Sequence, residues 1–379
     1  MGQAGMPRFA GDGTFRVMQV ADVQESSQVR VETLELLSRA LDRARPDLVV
    51  LTGDQIKGYN PVMLLCGESA VAPTIRDFMR PVVERGIPFA VTYGNHDDQA
   101  GVSNERQDEL YGALPGCLNA TFGRAGREPG TFCVPVMSSD GRDVAMAVWL
   151  AYSGGDAPGG GYEAFDPETT AWLVREADAL SERAGHRVPG ILFQHIPMPD
   201  VYDCLVPAEP GADGVPGYRG RYRHGHRLRL DEGRRLQGRL LEKVGCPDED
   251  TGELDALLAQ GDFFAAFFGH DHKNSFVVRH RGMVLGYAPT ASFSSYGPGL
   301  DRAVRVFEFD EADPTRPETY LLTYRELVGK TTTRPLRDWA RATFPTTLEH
   351  AGDWITSHRW RGAGTGAPGT AAGADALTG

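Results

Sequence analysis

Long hydrophobic runs are missing from this chain. No apolar stretch among its 379 residues approaches the roughly 20 needed to span a bilayer, so no membrane-spanning segment is expected. Cysteine is scarce and unpatterned. Cys66, Cys117, Cys133, Cys204 and Cys246 form an odd set without CxxC spacing, which argues for reduced thiols and against a disulfide framework. The opening residues, MGQAGMPRFAGDGTF, lack a basic segment followed by an apolar one, and Met6 stands where a myristoylation signal has Ser or Thr. The expectation is a cytoplasmic protein. Positive charge is also in deficit, with 39 Lys and Arg against 51 Asp and Glu for a net charge of −12. A general nucleic-acid-binding surface is therefore not expected, and any attraction for an anionic substrate has to come from the local field of bound cations.

What is present is an ordinary globular composition, 41% hydrophobic and 24% charged, in a chain long enough for one elaborated α/β domain or two. The chain is organised around Phe268-Gly269-His270-Asp271-His272, where the apolar run Phe263 to Phe268 stops at a glycine and presents two imidazoles one residue apart. That pattern reads as a buried strand running into a loop. Four other apolar runs end similarly: Phe15 to Ala21 in Asp22, Leu48 to Thr52 in Gly53-Asp54, Pro88 to Tyr93 in Gly94-Asn95-His96-Asp97, and Ile191 to Gln194 in His195. Taken singly, His195 reads as a core histidine, Asp22 as a cap, Asn95 after Gly94 as a turn and Asp54 as a loop residue. Together, five strand ends delivering Asp, Asp, Asn/His, His and His/His describe a metal site.

Residues 1–14 are glycine-rich and expected to be loose. The spacing of Val31, Leu34, Leu37, Leu41 and Ala44 predicts a helix over Arg30 to Arg45, stopped by Pro46 and followed by the strand that delivers Asp54. Such βαβ units build parallel strands, and ligands gather at the carboxyl ends of those strands. Ala72 to Arg85 reads as a second helix, Glu105 to Leu114 as a third, and Val144 to Ala151 as a strand. Ser153 to Tyr162 is a Gly-rich loop that permits close backbone approach but lacks the strand-Gly-helix phosphate fingerprint. Asp166-Pro167 opens a further helix as N-cap and first-turn proline. An insertion at about 197–261 precedes the histidine pair. Later strands (Ser275 to His280, Met283 to Tyr287, Ala303 to Phe309, Thr319 to Tyr324) follow without long helices, which suggests antiparallel pairing on a second sheet. The main domain is expected over 15–325, a C-terminal extension over 326–360, and a Gly/Ala/Thr tail without core-forming residues over 361–379.

The set Asp22-x-Gln24, Gly53-Asp54, Gly94-Asn95-His96-Asp97, His195 and Gly269-His270-Asp271-His272 resembles the calcineurin-like metallophosphoesterase superfamily, and within it the branch of purple-acid-phosphatase-like proteins without the full iron signature. The resemblance implies a four-layer α/β/β/α sandwich of two mixed β-sheets. It implies two divalent ions (Mn, Fe, Zn or Mg), with Asp54 bridging, Asp22 and His272 on one ion, and Asn95, His195 and His270 on the other. The implied activity is hydrolysis of phosphate monoesters or diesters by a metal-bound hydroxide. His96 would touch the scissile phosphate and assist the leaving oxygen, with Asp97 fixing its tautomer.

Two positions depart from that pattern. Gln24 stands where the family commonly has a histidine, so it is either a weaker oxygen ligand or a bystander. Lys57 occupies the place of the tyrosine that colours iron-containing members, and Tyr59 falls two residues too late, so no ferric-tyrosinate centre is expected. The insertion carries an Arg-rich stretch, Arg219 to Lys243, with nine basic residues against three acidic. Arg219, Arg221 and Arg223, in the segment Tyr218 to Arg229, are candidates for a lid that contacts substrate phosphate, whereas the part beyond Asp231 reads as an amphipathic helix. The expected substrate is a small-molecule or protein phosphoester. The competing expectation is a catalytically silent metal-binding or scaffolding member, its first site weakened by Gln24.

Overall fold

The computed structural model describes residues 6–218 and 226–343. Two sheets dominate it. The first has the order β14-β13-β1-β2-β3, built from β1 (Thr14–Val20), β2 (Leu48–Thr52), β3 (Phe89–Thr92), β13 (Ala303–Asp310) and β14 (Glu318–Thr323). The second has the order β4-β5-β6-β10-β12-β11-β9. Its strands are β4 (Phe132–Met137), β5 (Val144–Ala151), β6 (Gly190–Gln194), β9 (Arg235–Gln237), β10 (Phe263–Phe268), β11 (Val277–His280) and β12 (Met283–Tyr287). Strands β1, β2 and β3 are parallel in the first sheet, as are β5, β6, β10 and β12 in the second, while antiparallel strands close both edges of the second sheet and the β14 edge of the first. β7 (Leu205–Pro207) and β8 (Leu228–Leu230) form a small separate ribbon.

The sheets face each other across a dry layer in which Phe15, Val17 and Val50 meet Val148, Phe193 and Phe267. On the outer face of the first sheet lie α1 (Val31–Ala44) and α3 (Glu68–Glu84), packing Leu37, Leu41, Ile75 and Phe78 onto Val49 and Val91. On the outer face of the second lie α6 (Pro167–Ala184) and α7 (Glu253–Gln260), packing Leu173, Leu180 and Leu257 onto Leu192 and Ala266. This is the four-layer α/β/β/α arrangement expected from the sequence. Strands covered on both faces are mainly apolar, and β10, FFAAFF, is nearly all buried.

Local signals decide the element ends. The Asp166 side chain accepts the Glu168 N–H at 2.9 Å and Pro167 takes the first helical position, so α6 starts where the sequence places it. The buried stripe of α1 is Leu36, Leu37, Ala40, Leu41 and Ala44, and Val31 stays exposed, so the face is turned from the one that the Val31–Leu34 spacing suggests. The second predicted helix begins four residues earlier than expected, at Glu68.

Three expectations need correction. The late strands do not share one sheet: β11 and β12 pair antiparallel in the second, but β13 and β14 form a hairpin beside β1 in the first. Where a helix is expected beyond Asp231 the chain forms the short strand β9, and β8 stands just before that residue. Leu228 and Leu230 are buried on either side of exposed Arg229, a period of two, while Leu236 and Leu241 remain on the surface. The segment before residue 15 is tied down from Pro7 onward, because Phe9 is buried against Phe15 and residues 7 and 9 exchange backbone hydrogen bonds with Met137. The tail 361–379 lies outside the described residues. Among the described residues, no helix is long and apolar enough to cross a membrane.

Candidate metal centre

The carboxyl ends of β1, β2 and β3 in one sheet and of β6 and β10 in the other converge at one rim of the sandwich, and they carry Asp22, Asp54, Asn95, His195, His270 and His272. Backbone bonds lace the loops together. Asp22 N–H donates to the Gly53 carbonyl and Gln24 N–H to the Asp54 carbonyl, while Thr290 Oγ1 donates to the Asp22 carbonyl at 2.6 Å. Gln19 joins β1 to both sheets by donating to Thr52 Oγ1 and to the Phe268 carbonyl, each at 3.1 Å. The motif glycines are needed for space. A Cβ on Gly53 would meet the His195 ring at 2.6 Å, one on Gly94 would meet it at 2.7 Å, and one on Gly269 would meet Asp22 Oδ2 at 2.9 Å.

Within this frame the donor atoms form two groups around a shared carboxylate. Asp22, Asp54 and His272 offer atoms within 4.8 Å of one another, and so do Asp54, His195 and His270. Each carboxylate has one oxygen fixed by a backbone amide. Asp22 Oδ2 accepts the His270 N–H and Asp54 Oδ1 accepts the His96 N–H, both at 2.9 Å, so Asp22 Oδ1 and Asp54 Oδ2 turn inward. The histidines are oriented in the same way. His195 Nδ1 donates to the Thr52 carbonyl and His272 Nδ1 to the Tyr296 carbonyl, both at 2.9 Å. With that proton committed, a neutral ring presents only the Nε2 lone pair to the site.

Acceptors therefore face acceptors. His195 Nε2 lies 3.3 Å from Asp54 Oδ2, and His272 Nε2 lies 3.3 Å from Asp22 Oδ1. His270 Nδ1 and His195 Nε2 approach to 3.3 Å. Asp22 Oδ1 and Asn95 Oδ1 are buried without a hydrogen-bond partner. With neutral rings such contacts repel unless a cation, whether a proton or a metal ion, lies between them, and the mixture of imidazole, carboxylate and amide oxygen suits divalent transition metals. The donor set fits two ions.

The electrostatics agree. Burial disfavours the imidazolium at His195, yet the Asp54 charge outweighs it and pushes this imidazole up to about 10, which measures how strongly the position favours positive charge. Burial likewise opposes ionisation of Asp54, but the imidazoles of His195 and His96 hold its carboxyl well below the usual range. Burial, reinforced by His195, drives His270 well below its ordinary value and keeps it in the neutral, ligating form.

Several residues do something other than the sequence suggests. Gln24 reaches the centre through its nitrogen, with Nε2 donating to Asp54 Oδ2 at 2.9 Å and Oε1 accepting from the Tyr59 hydroxyl at 3.3 Å. An amide nitrogen cannot ligate a cation, so Gln24 acts here as a donor to the shared carboxylate and not as a ligand. Tyr59, set aside by spacing, sits edge-on against His96 with ring centroids 4.7 Å apart, whereas Lys57 Nζ donates to the Ser294 carbonyl at 3.2 Å. Asp97 does not orient His96. Its carboxylate accepts the backbone N–H groups of Asp54, Ile56 and Gly94 at 2.8 to 3.0 Å, pinning the β2 and β3 loops to each other. His96 Nδ1 instead lies 2.9 Å from Gln99 Oε1.

Asp156 and Gln99 went unread in the sequence. Asp156, in the Gly-rich loop after β5, accepts from Asn95 Nδ2 and from Gln99 Nε2, each at 3.0 Å. Its only sequence signal is a lone carboxylate among glycines past a strand end. Arg219, Arg221 and Arg223 lie outside the described residues. Tyr218, just before them, stacks on Tyr162 at 5.3 Å, and Tyr162 meets His270 edge-on at 4.4 Å. A further grouping of Asp200, Asp203 and His280 also brings possible ligands together. There Arg234 donates to His280 Nδ1 at 2.6 Å, which leaves the proton on Nε2 and that nitrogen unable to ligate.

The fold is a two-sheet sandwich with side chains that could hold metal ions at one rim, and the sequence model of the calcineurin-like phosphoesterase family matches residues 15–274. The chain belongs to that family. It is 25% identical over 338 residues to a protein of Arabidopsis thaliana named probable inactive purple acid phosphatase 14, covering 79% of this chain and 76% of that protein. It is 23% identical over 343 residues to phosphatase DCR2 of Saccharomyces cerevisiae, covering 79% of this chain and 52% of the yeast protein. Among solved structures, a dimetal phosphatase from Danio rerio superposes with a TM-score of 0.48 at 14% identity, covering 82% of this chain and 99% of that one.

Proposed function

We propose that this protein is a metal-dependent phosphoester hydrolase with a binuclear centre, acting on a small-molecule or protein phosphoester. The observation that carries the reading is the pair of 3.3 Å contacts in which an Nε2 lone pair faces an inward carboxylate oxygen, at Asp54 and at Asp22. Two divalent cations held by these residues would supply Lewis acidity toward a phosphate oxygen and would make a water molecule easier to deprotonate for attack on phosphorus. Asp54 is placed between the two groups of ligands. Asp22 and His272 hold one side, and Asn95, His195 and His270 the other. His96 Nε2 lies 3.9 Å from Asp54 Oδ2, beside the ligands without joining them, where it can hand a proton to the departing oxygen. The Arg219, Arg221 and Arg223 segment follows Tyr218, whose stack on Tyr162 leads to His270, and we assign these arginines to the substrate phosphate.

The catalytically silent reading has its own observation. Gln24 faces the bridging carboxylate through nitrogen, which leaves three side chains for the Asp22 position, and three relatives carry the words "probable inactive" in their names. The test is hydrolysis of p-nitrophenyl phosphate and of its bis-ester with Mn²⁺ supplied. Turnover abolished by a chelator and lowered about 10²–10⁴-fold in His96→Ala is the expected result. Metal-replete protein that cleaves neither ester makes the silent reading the correct one.

A further inference from the structure

One carboxylate outside the ligand set controls the orientation of three site groups. Asp156 enters from the loop between β5 and α6, where Gly155 N–H donates to Glu163 Oε2 at 2.9 Å and Ile196 N–H donates to Ser153 Oγ at 2.8 Å. The second bond anchors this loop to the residue after His195. Asp156 Oδ1 accepts from Asn95 Nδ2 and Oδ2 accepts from Gln99 Nε2, each at 3.0 Å.

An ionised carboxylate only accepts, so both amides must turn their nitrogens toward it. The opposite atoms are then determined. Asn95 Oδ1 is the amide atom not held by Asp156, buried and without a hydrogen-bond partner. Gln99 Oε1 faces His96 Nδ1 at 2.9 Å, and because an amide oxygen also only accepts, that nitrogen carries a proton. His96 Nε2 is left as the nitrogen that exchanges protons, 3.5 Å from Asn95 Nδ2. Turning either amide through 180° would set an oxygen against the carboxylate.

We infer that Asp156 is a positioning residue: its two oxygens make Asn95 present an oxygen to a divalent cation and, through Gln99, make His96 present Nε2 to the phosphoester. The inference rests on the binuclear reading for its ligand, but it needs neither turnover nor a particular substrate. Without Asp156 the Asn95 amide is free to present its nitrogen, which repels a cation, and the His96 proton is free to move between ring nitrogens. Outer hydrogen-bond partners of this kind are worth about 10–100-fold in metal affinity.

The substitution that tests this is Asp156→Asn, equal in size but able to donate as well as accept. Calorimetric titration of metal-free protein with Mn²⁺ alone should show one of two binding steps weakened about 10–100-fold while the other holds. In protein labelled with ¹⁵N-histidine, two-bond proton–nitrogen spectra of neutral His96 should change from a single Nδ1–H form to a mixture, and Gln99→Ala should do the same with little effect on Mn²⁺. Both steps unchanged in Asp156→Asn overturns the Asn95 arm, and an unchanged His96 pattern overturns the Gln99 arm. Circular dichroism of the variants separates both outcomes from unfolding. If wild-type protein binds no second Mn²⁺, the binuclear reading and the Asn95 arm fall together, and the His96 pattern still decides the Gln99 arm.

Discussion

Residues at this site adopt backbone conformations that ordinary side chains avoid. Asp22, Gln24, Asp54 and His270 have φ of 52°, 36°, 55° and 71°, in the left-handed region. Each such residue costs about 1–3 kcal/mol and persists only when its surroundings over-determine it. The backbone bonds from Asp22 to Gly53 and from Gln24 to Asp54 supply that restraint, and the residues gain from it a sharp turn that aims each side chain inward. At this scale Gln24 is the informative position. Its nitrogen already sits 2.9 Å from Asp54 Oδ2, so a histidine there would bring an imidazole to the place where an amide now donates. We expect Gln24→His to tighten the position held by Asp22 and His272 by about tenfold or more, read by Mn²⁺ or Zn²⁺ titration. An unchanged isotherm would mean that a side chain at 24 stays out of reach of the cation.

The element that matters is the strand end, not the strand. β1, β2, β3, β6 and β10 stop one to three residues before a candidate ligand, and the glycines after β2, β3 and β10 are packed flush against neighbouring site residues. A methyl at position 94 would stand 2.6 Å from the Asp54 nitrogen and 2.7 Å from His195 Cδ2, with no flexible end to yield. Gly94→Ala should therefore cost metal binding at least tenfold while leaving the sheets intact, checked by metal content beside the circular dichroism spectrum. Asp97 serves the same joint. Burial and the Asp54 charge push its carboxyl up to about 7, while three backbone N–H groups from two loops hold it in place.

On the scale of the molecule, the two sheets meet through buried polar links as well as apolar packing. Arg305 on β13 donates to the Tyr287 carbonyl at 2.9 Å and the Ser275 carbonyl at 2.7 Å, so a cation of the first sheet ties the ends of strands in the second. Its burial pulls the guanidinium down to about 9. A buried acid gives the folded state a pH dependence. Glu253, 2% exposed at the start of α7, is pushed up to about 8 from 4.5, first by burial and then by the charges of Asp200 and Asp250, against the hydrogen bond from Gln194. The folded chain then holds a proton that the unfolded chain has released, so this group's contribution to stability is greatest below pH 4.5 and falls as the pH rises toward 8. Each pH unit in that window costs up to about 1.4 kcal/mol. Glu253→Gln should remove this loss, raising the melting temperature over wild type by more at pH 9 than at pH 5.

The amino-acid sequence by itself determined where the buried strands run and which polar residues stand at their ends, because each depends on a local pattern, and the four layers were legible through the family resemblance that those residues carry. Apolar runs covered on both faces specify the strands, and a glycine followed by Asp, Asn or His at a run's end specifies a loop that presents a ligand. Only the tertiary structure decided the partners. That Gln24 turns its nitrogen to Asp54, that Asp97 serves backbone amides instead of His96, and that Asp156 sets two amides and a tautomer all follow from contacts between loops distant in sequence. The same holds for β13 and β14, whose alternating pattern suits either sheet and is settled by the exposed edge of β1. Side-chain type and spacing state which groups are available, and the hydrogen-bond geometry of the assembled fold states what each group faces.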